Sequence, residues 1–237
     1  MEFKIIYKID CLNMQFLFTF VAKIKTMKKI LFPILTLALL TSCNEAPKGE
    51  ETITTEAQQP LAATGASFKV DPTISKVGFL GTKPIGTHTG EFKLTDGSLS
   101  VEDNKLKGGN FTIDVSSMTI TDKDLTYSEK LKTHLLSPDF FDATRFGVAK
   151  FEITSIEALE NNPSATHNVS GNLTLKDSTQ NVTFPANITI TENEVKANGK
   201  FNIDRTQWGL HYGNDKSLGD KFIYPEVQIN LDVTAKK

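Results

Sequence analysis

Cysteine is nearly absent from this chain of 237 residues, which contains only Cys11 and Cys43. Both precede the region that is rich in predicted strands, so a disulfide framework is excluded as the basis of the fold. A strong charge of one sign is also missing, because 26 basic and 28 acidic residues are interspersed and give a net charge of -2. Without a basic surface there is no electrostatic reason to expect a nucleic-acid partner.

Motifs for catalysis and metal binding are equally scarce. There is no G-x-S-x-G sequence, and no cysteine follows residue 43 to act as a nucleophile. One catalytic alternative pairs His134 with Asp139 or Asp142 for general acid–base chemistry, but no nucleophile or oxyanion motif accompanies it. We therefore predict that the protein is not an enzyme. The histidines stand outside H-x-H and H-E-x-x-H patterns, so no metal site is predicted; they are His88, His134, His167 and His211.

The N-terminal apolar run is short. Residues 27–43 read MKKILFPILTLALLTSC, in which two lysines precede an apolar stretch that is too short to span a bilayer comfortably. The closing Leu-Thr-Ser-Cys resembles a bacterial lipobox, in which the cysteine carries acyl chains. We predict a signal peptide over residues 27–42 and lipidation at Cys43. The lipid would anchor the protein to the outer membrane of a Gram-negative envelope, on its periplasmic or surface face.

Two further segments flank this signal. Residues 1–26 precede Met27, and the simplest interpretation is that translation starts at Met27 and residues 1–26 are an upstream extension. The alternative is one long membrane anchor that includes them. Residues 43–66 are rich in Glu, Thr, Gln, Ala and Pro and contain few large apolar residues, which predicts a flexible tether. Residues 67–237 are then predicted to form a single folded domain.

Apolar and polar residues alternate from residue 67 onward. The longest such ladder runs over residues 182–190, and another closes the chain at residues 227–233. Each pattern indicates a strand with one buried face, and turn signals separate about eight strands in hairpin order. No long amphipathic helix is available to cover an open sheet. We therefore predict an all-β fold, an antiparallel barrel of about eight strands, because closure removes the sheet edges.

One segment breaks this alternation: YSEKLKTHLLSPDFFD, residues 127–142. Leucines at helical spacing predict a short helical insertion, and the Ser-Pro pair at 137–138 predicts a second short helix over residues 138–141. Neighbouring positions on a helix diverge by about 100°, so Phe140 and Phe141 would point in different directions. We expect at least one of them to line or plug the barrel.

Four stretches together resemble the YceI family of lipid-binding proteins. VGFLGTKPIGTHTGEFK (77–93) resembles the opening hairpin of the family, and HLLSPDFFDATRFGVAKFEITS (134–155) its most characteristic segment. GNLTLKDSTQNVTFPANI (171–188) and GKFNIDRTQWGLHYG (199–213) resemble two further family strands. The resemblance covers about residues 67–236. It implies an extended lipocalin-like barrel that holds an isoprenoid quinone or polyprenyl lipid as its bound small molecule, with no catalytic cofactor.

A slender apolar ligand requires a narrow, dry cavity lined mainly by Phe, Leu, Ile and Val, and the chain contains 16 Phe. Since each buried methylene contributes about 0.8 kcal/mol, such a ligand would bind tightly without specific polar contacts. The alternative is a structural or stress-related envelope protein whose barrel is closed by its own side chains. A homodimer also remains open. The predicted cavity lining is Phe79, Phe92, Phe111, Ile113, Leu135, Phe140, Phe141, Phe151, Leu173, Phe184, Phe201 and Trp208.

Charged residues near this lining have two interpretations. Arg205 follows an apolar strand, and it forms either an ion pair with Asp204, Asp139 or Asp142, or a contact with a polar head group at the cavity mouth. His134 belongs with the same group of polar candidates. Trp208 similarly serves either as packing at the barrel end or as a stacking surface for the ligand.

Overall fold

The computed structural model describes residues 45–237. Three short strands come first: β1 (Glu50–Glu51), β2 (Ile53–Glu56) and β3 (Ala66–Val70). One α-helix, α1 (Leu125–Leu136), and two 3-10 helices (Arg205–Trp208 and Lys216–Lys221) complete the description together with eight longer strands. These strands are β4 (Lys76–Lys83), β5 (Gly86–Glu102), β6 (Lys105–Ile120), β7 (Val148–Ala158), β8 (His167–Leu175), β9 (Ser178–Ile190), β10 (Glu194–Asp204) and β11 (Glu226–Lys236).

The eight longer strands close into a barrel. Each pairs antiparallel with the next along the chain, and β11 returns to pair antiparallel with β4. Pairing of β5 with β6 is interrupted by register shifts, which bend these long strands around the barrel. The predicted all-β, eight-stranded antiparallel barrel is confirmed. Its hairpin order follows from short turns, because antiparallel neighbours need only a few connecting residues.

The two ends of the barrel differ. At one end, here called the filled end, β3 pairs with both β5 and β11 below β4. Buried apolar side chains occupy the interior there, including Leu99, Val195 and Val233, which are at most 2% exposed. The other end, here called the open end, carries the β4–β5 turn, α1 and both 3-10 helices.

An ion pair between Asp71 and Lys236, at 2.7 Å, joins the end of β3 to the C-terminal strand β11. The hydrogen bond from Lys236, together with those from the Thr73 side chain and amide, lowers the pKa of Asp71 to about 2.

The helical insertion begins and ends differently from the prediction. Helix α1 starts after Asp124, whose carboxylate accepts a hydrogen bond from the Tyr127 amide as an N-cap. The predicted second helix over residues 138–141 is wrong, because these residues form turns. Their amides bond back to the end of α1: Phe141 N–H donates to the Leu135 carbonyl, and the amides of Phe140 and Asp142 donate to the carbonyl of residue 137. The segment therefore terminates α1 instead of starting a new helix.

The interpretation of residues 43–66 as a flexible tether is wrong for the described part of that segment. Strand β1 pairs parallel with β10, and β2 pairs antiparallel with β9. Further along, Gln58 bonds to Asn172 and the Leu61 amide donates to the Ile153 carbonyl. The segment pairs despite its composition because strand pairing satisfies backbone hydrogen-bonding groups without requiring large apolar side chains.

None of the helices within residues 45–237 is long and apolar enough to cross a membrane.

The predictions for the N-terminal extension over residues 1–26, the signal peptide over residues 27–42 and the lipidation of Cys43 lie outside the described residues. They remain predictions from the sequence.

Candidate functional site

The open half of the barrel encloses a cavity of about 630 Å³. Barrel strands contribute most of its wall, and α1 together with the segment after it covers part of the open end. The side chains alternate along each strand, so the residues of one phase point into the cavity. Eleven of the twelve predicted lining residues lie on this wall: Phe79, Phe92, Phe111, Ile113, Leu135, Phe140, Phe141, Phe151, Leu173, Phe184 and Phe201.

Four phenylalanines form the base of the cavity, here called the aromatic floor: Phe111, Phe151, Phe184 and Phe201. Their rings follow one another across the barrel, with centroid distances of 5.0 Å, 5.8 Å and 4.0 Å in that order. Three of them also border a small void of about 20 Å³ on the side of the filled end. Gly171 makes room for the floor, because a Cβ atom there would lie 2.2 Å from the Phe151 ring.

The Phe-Phe pair after α1 lies at the open end, and both rings line the cavity. Phe140 is buried against the rings of His134 and Tyr212, at centroid distances of 5.3 Å and 5.2 Å. Phe141 is half-buried and contacts Phe92 edge-on at 5.6 Å. The two rings diverge as expected, although turns rather than a helix position them. The pair therefore forms part of the cavity wall at the open end.

Arg205 lies buried at the cavity wall, and the predicted ion pair with Asp204, Asp139 or Asp142 is wrong. Its guanidinium donates to the carbonyls of Tyr224, Leu210 and Ile223. Burial lowers the pKa of Arg205, and the nearby charges of Asp204 and Glu226 partly offset that effect. The guanidinium also lies 5.8 Å from the centre of the Phe140 ring, a cation–π contact. Its carbonyl partners come from the irregular segment before β11. These contacts fasten that segment to the end of β10.

The acidic candidates separate into different contacts. Asp139 lies 3.4 Å from the His134 imidazole, and both side chains are solvent-accessible at the rim. Asp142 is buried and instead pairs with Arg145 at 3.2 Å. It also adopts a φ of 47°, which an aspartate tolerates better than most residues. His134 and Asp139 are therefore brought together, whereas Asp142 stabilises the turn.

Trp208 is the predicted lining residue that the structure places elsewhere. It is fully buried, and its indole N–H donates to the Leu173 carbonyl at 2.8 Å. Since Leu173 lines the cavity, the indole packs directly behind the wall. The packing interpretation of Trp208 agrees with this position, and the stacking interpretation does not.

Several wall residues were missed from the sequence. One group lies at the rim, where His88 stacks on Tyr127 at 5.2 Å and approaches Asp122 at 2.7 Å. Burial raises the pKa of Asp122, but hydrogen bonds from the Thr89 amide and His88 outweigh it and lower that pKa overall. Another group, Leu210, Tyr212 and Ile223, comes from the irregular segment before β11, where no periodicity could mark it. Alternation along β11 did signal the third group, Val227, Ile229 and Leu231.

A closed antiparallel barrel with a deep apolar cavity and one polar rim defines the class of lipocalin-like binding barrels. The model of the YceI-like domain matches residues 68–235. The chain therefore belongs to the YceI family. No curated protein sequence matches the chain significantly.

Solved structures agree on the fold. The BcnA protein of Burkholderia cenocepacia is similar with a TM-score of 0.58 and 24% identity, over 70% of this chain and 99% of that protein. A polyisoprenoid-binding domain of Saccharophagus degradans, implicated in plant cell wall breakdown, has a TM-score of 0.55 and 14% identity. That alignment covers 71% of this chain and 97% of the domain. At these identities the two structures establish the lipocalin-like architecture.

Proposed function

We propose that this protein is a non-catalytic carrier or store of a long-chain isoprenoid, such as a quinone tail or a polyprenyl lipid. The observation that carries the proposal is the apolar cavity of about 630 Å³, which has the size of a typical ligand pocket. Membership of the YceI family and the fold shared with a polyisoprenoid-binding domain support the same ligand class.

The chemistry of the wall fits such a ligand. An isoprenoid is a slender hydrocarbon with no hydrogen-bonding groups along its chain, and the wall offers rings and branched aliphatic side chains. Each buried methylene contributes about 0.8 kcal/mol, so ten buried carbons supply roughly 8 kcal/mol before the costs of association. Polar groups collect at the rim, where the rings of His134 and Tyr212 pack against Phe140. A quinone ring or other polar head group would contact them there.

The cellular place of the carrier is also a proposal. The lipobox-like sequence ending at Cys43 supports an acyl anchor in the outer membrane of a Gram-negative envelope. Strand β1 begins at Glu50, seven residues after Cys43, so such an anchor would hold the barrel close to the bilayer surface. A carrier in that position can exchange its lipid with the membrane.

Two alternatives are less well supported. A structural barrel with a filled interior would leave no ligand-sized space, whereas the open half contains a large cavity. A hydrolase using His134 with Asp139 or Asp142 retains only the first pair, at 3.4 Å, because Asp142 bonds to Arg145. No nucleophile or oxyanion motif in the sequence accompanies that pair. Within residues 45–237 no group of three or more histidine, cysteine or acidic side chains could hold a metal ion.

The decisive test is the bound material itself. Protein purified from its own host is analysed by native mass spectrometry, and the organic extract is analysed for isoprenoid lipids. We expect a stoichiometric mass increment that extraction removes, with a prenyl compound in the extract. A protein that carries no lipid, and that fails to take up a prenyl quinone when one is supplied, would refute the proposed function.

A further inference from the structure

The side of the cavity between β9 and β10 is built differently from the rest of the wall. Direct pairing of these strands runs from Val195–Ile190 to Gly199–Ala186, near the filled end. Towards the open end, residues 50–56 pair with both strands instead: Glu50 and Glu51 with β10, and Ile53 through Glu56 with β9. The N-terminal segment thus completes the barrel wall as an inserted strand.

This inserted strand lies beside the cavity. Thr54 is the register partner of Val182, and Glu50 is the register partner of Phe201. Both Val182 and Phe201 line the cavity. Residues 50–56 thus occupy the gap between two strands that line the cavity, although none of them is itself a lining residue.

Amide side chains on the outer face hold the segment by its backbone. Asn202 donates to the Pro47 carbonyl at 2.7 Å, and Gln228 donates to the Lys48 carbonyl at 2.7 Å. These amides alternate with residues that line the cavity, so they face outward. Yet Asn202 is only 6% exposed and Gln228 only 5%, because the segment covers them. Such buried amides need hydrogen-bond partners. The segment supplies an acceptor for the NH2 group of each, whereas the Asn202 Oδ1 atom has no partner.

A second pair of amides holds the other end of the segment. Asn172 accepts a hydrogen bond from the Gln58 amide at 2.9 Å and donates to the Gln58 carbonyl at 2.6 Å. Asn181 donates to the Asn172 side chain at 2.9 Å and is 4% exposed. The barrel surface therefore contains a built site for an extended polypeptide backbone, clamped at residues 47–48 and at residue 58.

We propose that residues 47–58, here called the closing strand, are a removable part of the barrel wall, and that their release opens a lateral entrance to the cavity. The inference rests on the proposed lipid-binding function. Apart from the buried ring of Pro47, hydrogen bonds rather than apolar side chains hold the closing strand. Its one large aliphatic residue, Ile53, is 67% exposed. Segments held in this way open at lower cost than the core strands around them. A lateral slit also suits a long chain, which can enter along its length.

The first test compares two asparagines of β10. Asn202→Ala removes a clamp on the closing strand, whereas Asn198→Ala removes an exposed amide that bonds to Asp232 on β11. Hydrogen exchange over residues 50–56 reports opening of the strand. Uptake of a short-chain menaquinone is followed by quenching of Trp208, which is the only tryptophan and packs behind the cavity wall. We expect Asn202→Ala to accelerate both processes roughly tenfold, and Asn198→Ala to leave both unchanged.

The second test locks the closing strand with a disulfide, which should slow quinone uptake instead of accelerating it. General destabilisation of the protein cannot produce this result. Ile53 and Thr183 are antiparallel register partners, whose Cα separation suits a disulfide. We expect the oxidised I53C/T183C protein to take up the quinone at least tenfold more slowly than its reduced form, with peptide mapping verifying the bond. In the matched control N198C/D232C, the bond would join strands that are already paired, and oxidation should leave uptake unchanged.

The outcomes separate the two proposals. Equal uptake by the locked and reduced proteins, or faster exchange in Asn202→Ala without faster uptake, would overturn the lateral entrance while leaving lipid binding intact. Failure of the unmodified full-length protein to bind any prenyl quinone would overturn both.

Discussion

Filling the cavity by one side chain should weaken ligand binding without weakening the fold. Val227 lies on the wall near the open end, where it pairs with Gly81 of β4 and Ile203 of β10. Val227→Phe adds four carbons that project into space otherwise occupied by the ligand. Four displaced methylene equivalents at about 0.8 kcal/mol each amount to about 3 kcal/mol, or roughly a hundredfold in Kd.

A matched control lies on the same strand and the same face. Val233 is six residues further along β11, but it is 1% exposed in the filled half of the barrel. Val233→Phe forces a ring into packed side chains, which costs about 1–3 kcal/mol of folding stability. Val227→Phe should cost little, because its ring enters a cavity. We therefore expect different outcomes: Val227→Phe lowers the affinity for the ligand, and Val233→Phe lowers the folding stability.

Both quantities are measurable on the same samples. Urea unfolding followed by Trp208 fluorescence gives the stability of each lipid-free variant, and titration with a prenyl quinone gives the affinity. Unchanged affinity in Val227→Phe would refute the assignment of the cavity as the ligand site. A loss of stability in Val227→Phe as large as that in Val233→Phe would show that the open half is packed in solution.

Three further predictions follow from other contacts. Replacing Phe140 and Phe141 together by Ala should cost at least about 3 kcal/mol in urea unfolding and lower lipid occupancy in native mass spectra, whereas unchanged values would remove the pair from the site. Gly171→Ala should destabilise the protein by about 1–3 kcal/mol, since its Cβ would lie 2.2 Å from a ring of the aromatic floor; a neutral result in thermal unfolding would contradict that contact. Asp71 has its pKa lowered to about 2 from an ordinary 3.8 by its bonds to Lys236 and its own turn, so its stabilisation is present above pH 3.8 and is lost as the pH falls towards 2. Asp71→Asn should remove this part of the pH dependence in urea unfolding measured between pH 2 and 5, and identical pH profiles would contradict it.

The barrel and its lining were predictable because both follow from alternation. A residue such as Phe184, in a ladder with period two, can point only to one face of a strand, and closure makes that face the interior. The positions of Phe111, Phe151 and Phe201 follow by the same argument. Trp208 belongs to a 3-10 helix instead, where that period does not apply, and it packs behind the wall.

The contacts of Arg205 and the docking of residues 47–61 were not predictable for a shared reason. In both cases the partners are backbone carbonyls and amides, which every residue possesses and no sequence pattern marks. The sequence therefore suggested Asp139 and Asp142 as partners of Arg205, but these carboxylates contact His134 and Arg145 instead. The lack of large apolar side chains predicted a flexible N-terminal segment, whereas the side chains of Asn202 and Gln228 bind its main chain.

The aromatic floor separates the packed half of the barrel, which stabilises the fold, from the open half, which contains the cavity. In the proposed carrier, each molecule that delivers its lipid would pass through an interval with an empty cavity, when the ligand no longer contributes to the core. Below the floor, the packed side chains, the pairing of β3 and the direct ladder between β9 and β10 are independent of occupancy. Unloading should therefore lower the melting temperature without converting the protein into an expanded state.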